Sequence, residues 1–365
     1  MQAKLGDVAH GGYVVARIDG KVTFVTGGLP GETVEVKITE RGKRFDRGVV
    51  TNVVDPHPGR VTPPCPIAGS CGGCDWQHAE PALQRELKRR VVAEQLQRLA
   101  GIEWAGEVQA VEPIWGWRTR MRYGRSGDSL GLRGKRSHEV IPLPEEGCRI
   151  AASSAPSVVG DVVEVVDAAS GRTVIADGDV VEGAAQMQER AHGIEYTVDA
   201  AGFWQVHPRA AETLVEAVMA GLRPQPGERA VDLYCGVGLF AGALHAEGCD
   251  VLGVELNRRA VQLARTNVPG ARFEASNVDR FLDRLPKTAD LVVLDPPRKG
   301  AGLKVVRAVA AMKPRRIAYV ACDPAALARD LAYFAAEGYV HETIEAFDLF
   351  PQTHHIESVG TLIPG

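Results

Sequence analysis

Apolar and polar positions alternate in short runs along the first sixty residues of the chain. The apolar runs cover residues 12–18, 21–25, 33–38 and 48–54, and glycine-containing turns separate them. Runs that return about every ten residues between turn signals are typical of a small antiparallel barrel. The pattern therefore predicts a barrel over residues 1–60, followed by a proline-rich stretch.

The next segment has the pattern of one helix and then a second set of strands. Residues 80–100 are expected to be helical, with Pro81 in the first turn and Gly101 just beyond the end. The apolar residues expected to line one face of this helix are Leu83, Leu87, Val91, Leu96 and Leu99. Strand-like runs return between residues 109 and 204, which predicts a region rich in β-structure.

From about residue 208 onward, apolar strands alternate with helices. The strands are expected at residues 229–233, 250–254, 291–294 and 316–321, and the helices at 209–221, 258–266 and 325–338. Strands that alternate with helices form βαβ units and a mostly parallel sheet. In open sheets of this kind, ligands bind at the carboxyl ends of the strands.

Composition narrows the class of protein. The chain has 365 residues, of which 45% are hydrophobic and 24% charged, as in folded globular proteins of two or three domains. It contains no apolar run of about 18 residues and begins without an apolar signal region, so we expect no membrane span and no secretion. The odd number of cysteines, seven, favours a reducing, cytoplasmic location over a disulfide framework.

The net charge of −4 argues against a protein that is basic over its whole surface. Positive charge is concentrated between residues 115 and 136, where Asp128 is the one acidic residue. Strand alternation would place Arg118, Arg120 and Arg122 on one face, next to aromatic residues. This face is a candidate RNA surface, and a solvated edge strand is the alternative.

Three of the cysteines lie in one glycine-rich loop. Cys65, Cys71 and Cys74 fall within ten residues, and Cys148 is the other cysteine that precedes the α/β region. Glycines allow such a loop to fold back so that its sulfur atoms converge. The four cysteines are therefore predicted to hold a metal centre, either zinc or a [4Fe–4S] cluster, rather than to be buried free thiols.

A glycine turn after the first parallel strand indicates a nucleoside-binding site. Residues 229–233 lead into Gly236 and Gly238, and Glu255 ends the next strand, where a carboxylate can hold ribose hydroxyls. On this motif alone, a nicotinamide dinucleotide fits as well as any other nucleoside cofactor.

Three later segments favour one chemistry. Asp295 and Cys322 each follow a predicted strand, and Glu357 ends a third motif, so Asp295, Cys322 and the glycine turn are expected to line one crevice. Hydride transfer requires no thiol nucleophile there, whereas methylation of an unactivated pyrimidine carbon does.

From residue 205 to residue 357 the chain resembles the RNA uracil-5-methyltransferases that use S-adenosylmethionine. The matching motifs are Phe-Trp-Gln-Val (203–206), Asp-x-x-Cys-Gly-x-Gly (232–238), Asp-Pro-Pro-Arg-x-Gly (295–300), Cys-Asp-Pro (322–324) and Phe-Pro-x-Thr-x-His-x-Glu (350–357). The barrel resembles the TRAM module of that family, and the cysteine spacing matches its [4Fe–4S] ligands. His207 and Leu239 depart from the common pattern, which has Asn at the first position and in some members a polar residue at the second.

The resemblance implies a multidomain α/β fold. Residues 1–60 would form an OB-like TRAM barrel, and residues 61–204 a β-rich iron–sulfur and RNA-binding domain whose helix packs on the catalytic domain. Residues 205–365 would form a Rossmann-like class I methyltransferase domain. The protein is expected to act as a monomer in the cytoplasm.

The resemblance also implies roles for the site residues. Cys322 would add to C6 of uracil, Glu357 would remove the C5 proton, and Asp295 would contact either uracil N3–H or the cofactor sulfonium. Arg298 would join the arginine strand in binding RNA, and Cys65, Cys71, Cys74 and Cys148 would hold the cluster. The residues expected to contact S-adenosylmethionine are Gln205, Tyr234, Gly236, Gly238, Glu255, Asn277 and Asp295.

The implied function is methylation of C5 of one uridine in a structured RNA, ribosomal RNA in preference to transfer RNA. Two alternatives remain at this stage. One is a nicotinamide-dependent oxidoreductase that uses the same glycine turn. The other is a non-catalytic RNA-binding or assembly factor with a relic catalytic domain.

Overall fold

The computed structural model describes all residues from Met1 to Gly365. A six-stranded barrel is formed by the first 55 residues. Its strands are β1 (Gln2–Lys4), β2 (Val8–Ala9), β3 (Tyr13–Ile18), β4 (Lys21–Thr26), β5 (Thr33–Arg41) and β6 (Asp46–Asp55). Backbone hydrogen bonds of Leu5 and Gly6 join β5 on one side to β3 on the other and so close the barrel. The expectation of an antiparallel barrel needs one correction, because β4 and β6 pair in parallel.

Helix α1 (Pro81–Ala100) begins at a proline and ends at Gly101, whose left-handed φ of 67° suits glycine. Its buried face differs from the predicted one. Leu99 is exposed, whereas three polar residues, Gln84, Lys88 and Gln95, are buried. The apolar repeat missed these positions because polar side chains do not mark a buried face unless their partners are known.

The central region contains two sheets. The strands after α1 are β7 (Val108–Ala110), β8 (Arg120–Ser126), β9 (Ser129–Arg133), β10 (Val140–Pro142), β11 (Val162–Ala168), β12 (Gly171–Ala176), β13 (Asp179–Glu182), β14 (Gln186–Ala191) and β15 (Ile194–Asp199). Six of them form an antiparallel sheet in the order β10-β9-β8-β11-β12-β13, and β14 and β15 form a separate hairpin.

The C-terminal region is an eight-stranded sheet flanked by helices. Its further strands are β16 (Arg229–Leu233), β17 (Asp250–Glu255), β18 (Arg272–Ala275), β19 (Leu291–Leu294), β20 (Arg316–Ala321), β21 (Tyr339–Asp348) and β22 (Glu357–Pro364). The helices are α2 (Ala210–Leu222), α3 (Leu239–Ala246), α4 (Arg258–Asn267), α5 (Val278–Phe281), α6 (Leu303–Ala311) and α7 (Pro324–Ala336), and a 3-10 turn spans Leu282–Arg284. The strand order is β18-β17-β16-β19-β20-β22-β21-β7, with β16 to β20 parallel.

Three elements of the central region extend this sheet or pack against its helices. Strand β7 pairs in parallel with β21 at its edge, and α1 packs on α7. The β14–β15 hairpin shares a hydrophobic core with α2, α3 and α4, and the Tyr196 hydroxyl donates to the carbonyl of Leu239 at 3.0 Å. The domain boundaries predicted at residues 60 and 204 stay predictions. No helix combines the length and the apolar character that a membrane crossing needs.

Candidate active site

The predicted nucleophile and base lie opposite each other on neighbouring strands. β20 and β22 are antiparallel, with Ala321 paired to Ser358, so the next pair outward is Cys322 and Glu357. Directly opposed residues in such a ladder have Cα atoms about 5 Å apart. The backbone register therefore brings the thiol and the carboxyl group together.

The thiol lies in an environment that disfavours its ionisation. Burial, followed by the nearby charges of Glu357 and Asp295, raises the pKa of Cys322 to about 12, while Arg298 acts in the opposite direction. A thiolate is the nucleophilic form. Attack by Cys322 therefore requires that its proton leave when substrate is bound.

Glu357 is held in a buried position without a hydrogen bond to its carboxyl group. The residue is 4% exposed. Burial raises the pKa of Glu357 well above its usual range, the charge of Asp295 raises it further and Arg298 lowers it. Because no side-chain partner orients the carboxyl group, its direction depends on the backbone of the loop and strand that carry it.

Asp295 follows β19 and lies at the same edge of the sheet. Its backbone N–H donates to the carbonyl of Leu233 at 3.2 Å. Burial, together with the smaller effect of the Glu255 charge, raises the pKa of Asp295 to about 7. Arg298, three residues further on, is exposed at the mouth of the crevice.

The glycine turn lies one strand further along the sheet. Gly236 has a left-handed φ of 54°, and no atom lies within 4 Å of the position that a Cβ would take, so the backbone there is open to a ligand. Its N–H donates to the carboxylate of Glu255 at 3.2 Å. Gly238 (φ 94°) instead packs against α4 and β18.

The remaining predicted nucleoside contacts follow the same strands. Tyr234 comes directly after β16, and Asn277 comes two residues after β18, where its side chain makes no cap on α5. Gln205 lies in the segment that leads to α2, between buried Trp204 and partly buried Val206. Tyr234, Glu255 and Asn277 are thus grouped at one end of the sheet, and Gln205 makes no hydrogen bond with any of them.

The four clustered cysteines surround one small cavity. Cys65, Cys71, Cys74 and Cys148 all line it, and their thiols are free. The N–H of Gly73 donates to Cys71 Sγ at 3.3 Å. No group of three or more His, Cys, Asp or Glu side chains in the protein has the geometry of a single-ion site.

The three arginines of β8 have different surroundings. Arg122 is exposed and pairs with Glu164 at 3.0 Å. Arg120 points to the same side of the strand but is covered by the turn after β15, where it donates to the carbonyls of Ala200 and Gly202 at 3.0 and 2.9 Å. The prediction that Arg120 faces RNA is therefore wrong, because its side chain is 12% exposed and its guanidinium donates to backbone carbonyls. Arg118 is half-buried.

A loop of the barrel reaches this site, which the sequence pattern did not reveal. His10 Nε2 lies 3.1 Å from the carboxylate of Asp323, the residue after Cys322. A Cβ at Gly12 would come within 2.8 Å of His354, so only glycine fits there. These contacts join residues more than 300 positions apart, and no local motif signals them.

Comparisons with known proteins show the family of the chain. A profile of the family described as tRNA (Uracil-5-)-methyltransferase matches residues 283–363, a TRAM domain profile matches residues 1–60, and a Methyltransferase small domain profile matches residues 209–315. A protein of Streptomyces avermitilis, described as an uncharacterized RNA methyltransferase, is 46% identical over 100% of this chain and 98% of its own.

Two further proteins are similar over nearly their whole length. A Shewanella protein named 23S rRNA (uracil(1939)-C(5))-methyltransferase RlmD is 32% identical over 96% of this chain and 93% of its own. The crystal structure of Pyrococcus abyssi tRNA (uracil-54, C5)-methyltransferase in complex with S-adenosyl-L-homocysteine superimposes with a TM-score of 0.77 at 24% identity, covering 100% of both chains. It confirms a TRAM barrel joined to a Rossmann-like methyltransferase fold. The chain belongs to the family of RNA uracil-5-methyltransferases.

Proposed function

We propose that this protein transfers a methyl group from S-adenosylmethionine to C5 of one uridine in a structured RNA through a covalent adduct on Cys322. The observation that carries the proposal is the register of β20 and β22, which ends at the pair Ala321–Ser358 and so brings Cys322 and Glu357 opposite each other, with the charges of Glu357 and Asp295 acting on the thiol. A nucleophile and a general base on facing strands can act on adjacent ring atoms of one nucleobase. The nicotinamide alternative lacks support, because the chain belongs to a methyltransferase family.

The chemistry assigns one step to each residue. The Cys322 sulfur bonds to C6, and the ring electrons move to form an enolate that is nucleophilic at C5. C5 then bonds to the methyl group of S-adenosylmethionine, the second substrate, and S-adenosylhomocysteine leaves with the electron pair of the broken sulfur–carbon bond. Glu357 then takes the C5 proton, the C6–sulfur bond breaks, and the C5–C6 double bond of the product forms again. Asp295 would accept a hydrogen bond from uracil N3–H or lie beside the sulfonium.

The donor groups around the glycine turn fit a nucleoside with a sulfonium side chain. Glu255 offers carboxylate oxygens at the place where ribose hydroxyls bind in folds of this class. The open backbone at Gly236 allows close approach, and Tyr234, Asn277 and Gln205 would supply further contacts, with Gly238 shaping the turn. Tight binding of S-adenosylmethionine and none of NADH, measured calorimetrically, is the expected result.

The four cysteines would hold a [4Fe–4S] cluster. Thiol donors in a cavity lined mostly by apolar residues fit such a cluster. Four thiolates can hold either zinc or a [4Fe–4S] cluster, and the resemblance of the cysteine spacing to the family's cluster ligands favours the cluster. Protein purified without oxygen should be brown and contain acid-labile sulfide. Stoichiometric zinc without sulfide would contradict the proposal.

The RNA substrate is proposed to be ribosomal. The similar Shewanella protein is named for a uridine of 23S rRNA, while the Pyrococcus abyssi protein is named for transfer RNA. Arg122 and Arg298 are exposed cations that can contact phosphates, and the charge of Arg298 also acts on Cys322 and Glu357. Mapping 5-methyluridine in ribosomal and transfer RNA from a deletion strain would identify the substrate.

The division of labour between Cys322 and Glu357 is testable by trapping the adduct. Glu357→Gln should still attack C6 and transfer the methyl group, then stall, because proton removal must precede elimination. We expect a denaturation-resistant protein–RNA complex that carries labelled methyl with Glu357→Gln, and none with Cys322→Ala. Methylation by Cys322→Ala would refute the mechanism.

His355 is the nearest alternative base, two positions before Glu357. Burial, followed by the charge of His354, lowers the pKa of His355 to about 3, so the imidazole holds a proton poorly. If Glu357→Gln turned over at the wild-type rate, another residue would be the base that removes the C5 proton. The matched test would then be His355→Gln.

A further inference from the structure

The loop that leads to Glu357 is held from outside by the central region. Residues 349–356, here called the base loop, join β21 to β22 and end directly before Glu357. Their contacts come from α1 and from the chain segment just before it, more than 250 residues away in sequence. The base loop is therefore fixed by a different part of the chain from the one that carries the nucleophile.

Gln84 of α1 binds the centre of the base loop. Its amide nitrogen donates to the side-chain oxygen of Gln352 at 2.9 Å, and its amide oxygen accepts from the Gln352 N–H at 2.9 Å. The same amide nitrogen bonds to the carbonyls of Trp76 and Ala79, so Gln84 cannot rotate freely. Both Gln84 and Gln352 are buried.

Gln352 adopts a backbone conformation that is costly for a residue with a side chain. Its φ is 69°, in the left-handed region. Its carbonyl accepts from the N–H groups of Asp75 and Trp76 at 2.9 and 3.0 Å. Conformations of this kind persist only when surrounding contacts over-determine them. The bonds from Gln84 and from residues 75 and 76 supply that restraint.

Lys88, one helical turn after Gln84, binds the start of the base loop. Its side chain is fully buried, and the ammonium donates to the carboxylate of Asp348 at 2.6 Å and to the carbonyl of Phe350 at 3.1 Å. A buried charge pair contributes little net stability over an apolar pair of similar size. The pair does, however, fix the end of β21 and the first turn of the base loop in one position.

We propose that Gln84 and Lys88 are positioning residues for the proton-removal step, because they set the direction in which Glu357 points. The inference rests on the proposed function. The carboxyl group of Glu357 makes no hydrogen bond, and Glu357 is the first residue of β22, where it pairs with Phe347 of β21. Lys88 holds Asp348, the residue after Phe347, so a shift of this strand end or of the base loop would move Glu357. Cys322 directly follows β20 and makes no hydrogen bond with Gln84 or Lys88. Loss of the α1 contacts should therefore slow elimination and leave attack and methyl transfer in place.

The test is a single-turnover experiment with target RNA and S-adenosylmethionine that carries a labelled methyl group. For Gln84→Leu and Lys88→Met we expect methyl transfer within about threefold of wild type and product release slowed roughly ten- to a hundredfold, since small misplacements cost rates of that order. The labelled covalent complex should then accumulate. Release at the wild-type rate from folded Gln84→Leu would overturn the proposal.

Two controls separate positioning from stability. Leu96→Ala removes a fully buried side chain twelve residues beyond Gln84 in the same helix and leaves the bonds of Gln84 and Lys88 to the base loop in place, so it should lower the melting temperature and release product normally. Lys88→Met combined with Asp348→Leu removes both buried charges and keeps the test usable if Lys88→Met alone unfolds. The double variant should still accumulate the complex, because the Lys88 bond to the Phe350 carbonyl is still missing, and normal release from it would contradict the role of Lys88.

The outcomes also distinguish this inference from the proposed function. If Glu357→Gln forms the trapped complex but the two α1 variants do not, the positioning role is refuted and the mechanism stands. If Cys322→Ala still yields methylated RNA, the proposed function is wrong and the positioning role falls with it.

Discussion

Asp295→Asn is expected to make the ligand-free protein more stable at neutral pH while it abolishes methyl transfer. The folded protein holds Asp295 in a buried place where its pKa is about 7 instead of 3.8. Between those values the unfolded chain ionises and the folded chain does not, so raising the pH favours unfolding. Asparagine cannot ionise and avoids this penalty.

The magnitude follows from the two pKa values. A gap from 3.8 to about 7, at about 1.4 kcal/mol for each pH unit, gives a penalty of about 4 kcal/mol above pH 7. The side chain retains some access to the crevice, and water there screens part of the charge, so this figure is an upper limit. Between pH 5 and pH 8 the advantage of asparagine should grow by up to about 3 kcal/mol.

The assay is urea unfolding of wild type and Asp295→Asn at pH 5 and pH 8. Asp283→Asn is a matched control, because Asp283 is exposed in the 3-10 turn after α5. Its effect on the free energy of unfolding should be the same at both pH values. An Asp295→Asn effect that does not grow with pH would refute the view that burial holds this carboxyl group protonated.

Contacts described above lead to three further predictions. Arg122→Ala should weaken RNA binding and flatten its salt dependence, since it removes an exposed cation, as titrations at several salt concentrations would reveal. Arg120→Ala should instead lower the melting temperature, because its hydrogen bonds to Ala200 and Gly202 are lost. The hydrogen bond with Asp323 raises the pKa of His10, and Glu94 and Arg98 also lie nearby. The His10–Asp323 pair therefore stabilises the folded protein below pH 6.5, and this stabilisation is lost as the pH rises through the raised pKa of His10. Wild type should therefore exceed His10→Ala in melting temperature at pH 6 and match it by pH 9.

Local patterns were sufficient to predict the parallel strands and the residues at their carboxyl ends. The strand before Gly236 and the strand before Asp295 are apolar runs that end in a turn, and each lies where the pattern placed it. A residue at the end of a strand is fixed by its own neighbours, so a short window of sequence carries the information. The α1 boundaries were predictable for the same reason, from Pro81 and Gly101.

Contacts between distant segments were not predictable. Arg120 lies on the predicted face of its strand, but the turn that covers it comes about 80 residues later. Gln84 and Lys88 resemble ordinary surface residues of a helix, and their burial depends on partners at Gln352 and Asp348. A single sequence holds no periodic signal for such pairs, because each depends on how whole elements pack.

The addition of β7 to the edge of the catalytic sheet has a consequence for the order of folding. The indole N–H of Trp104, which precedes β7 in the chain, donates to the carbonyl of Ile344, 240 positions later. Strand β7 itself pairs with β21. During synthesis, α1 and β7 leave the ribosome long before β21 exists, so they wait without their partner. Contacts of such wide sequence separation slow folding. We therefore expect the base loop to become ordered late. In a nascent chain, Glu357, the proposed proton acceptor, would not be positioned until α1 and the base loop have come together.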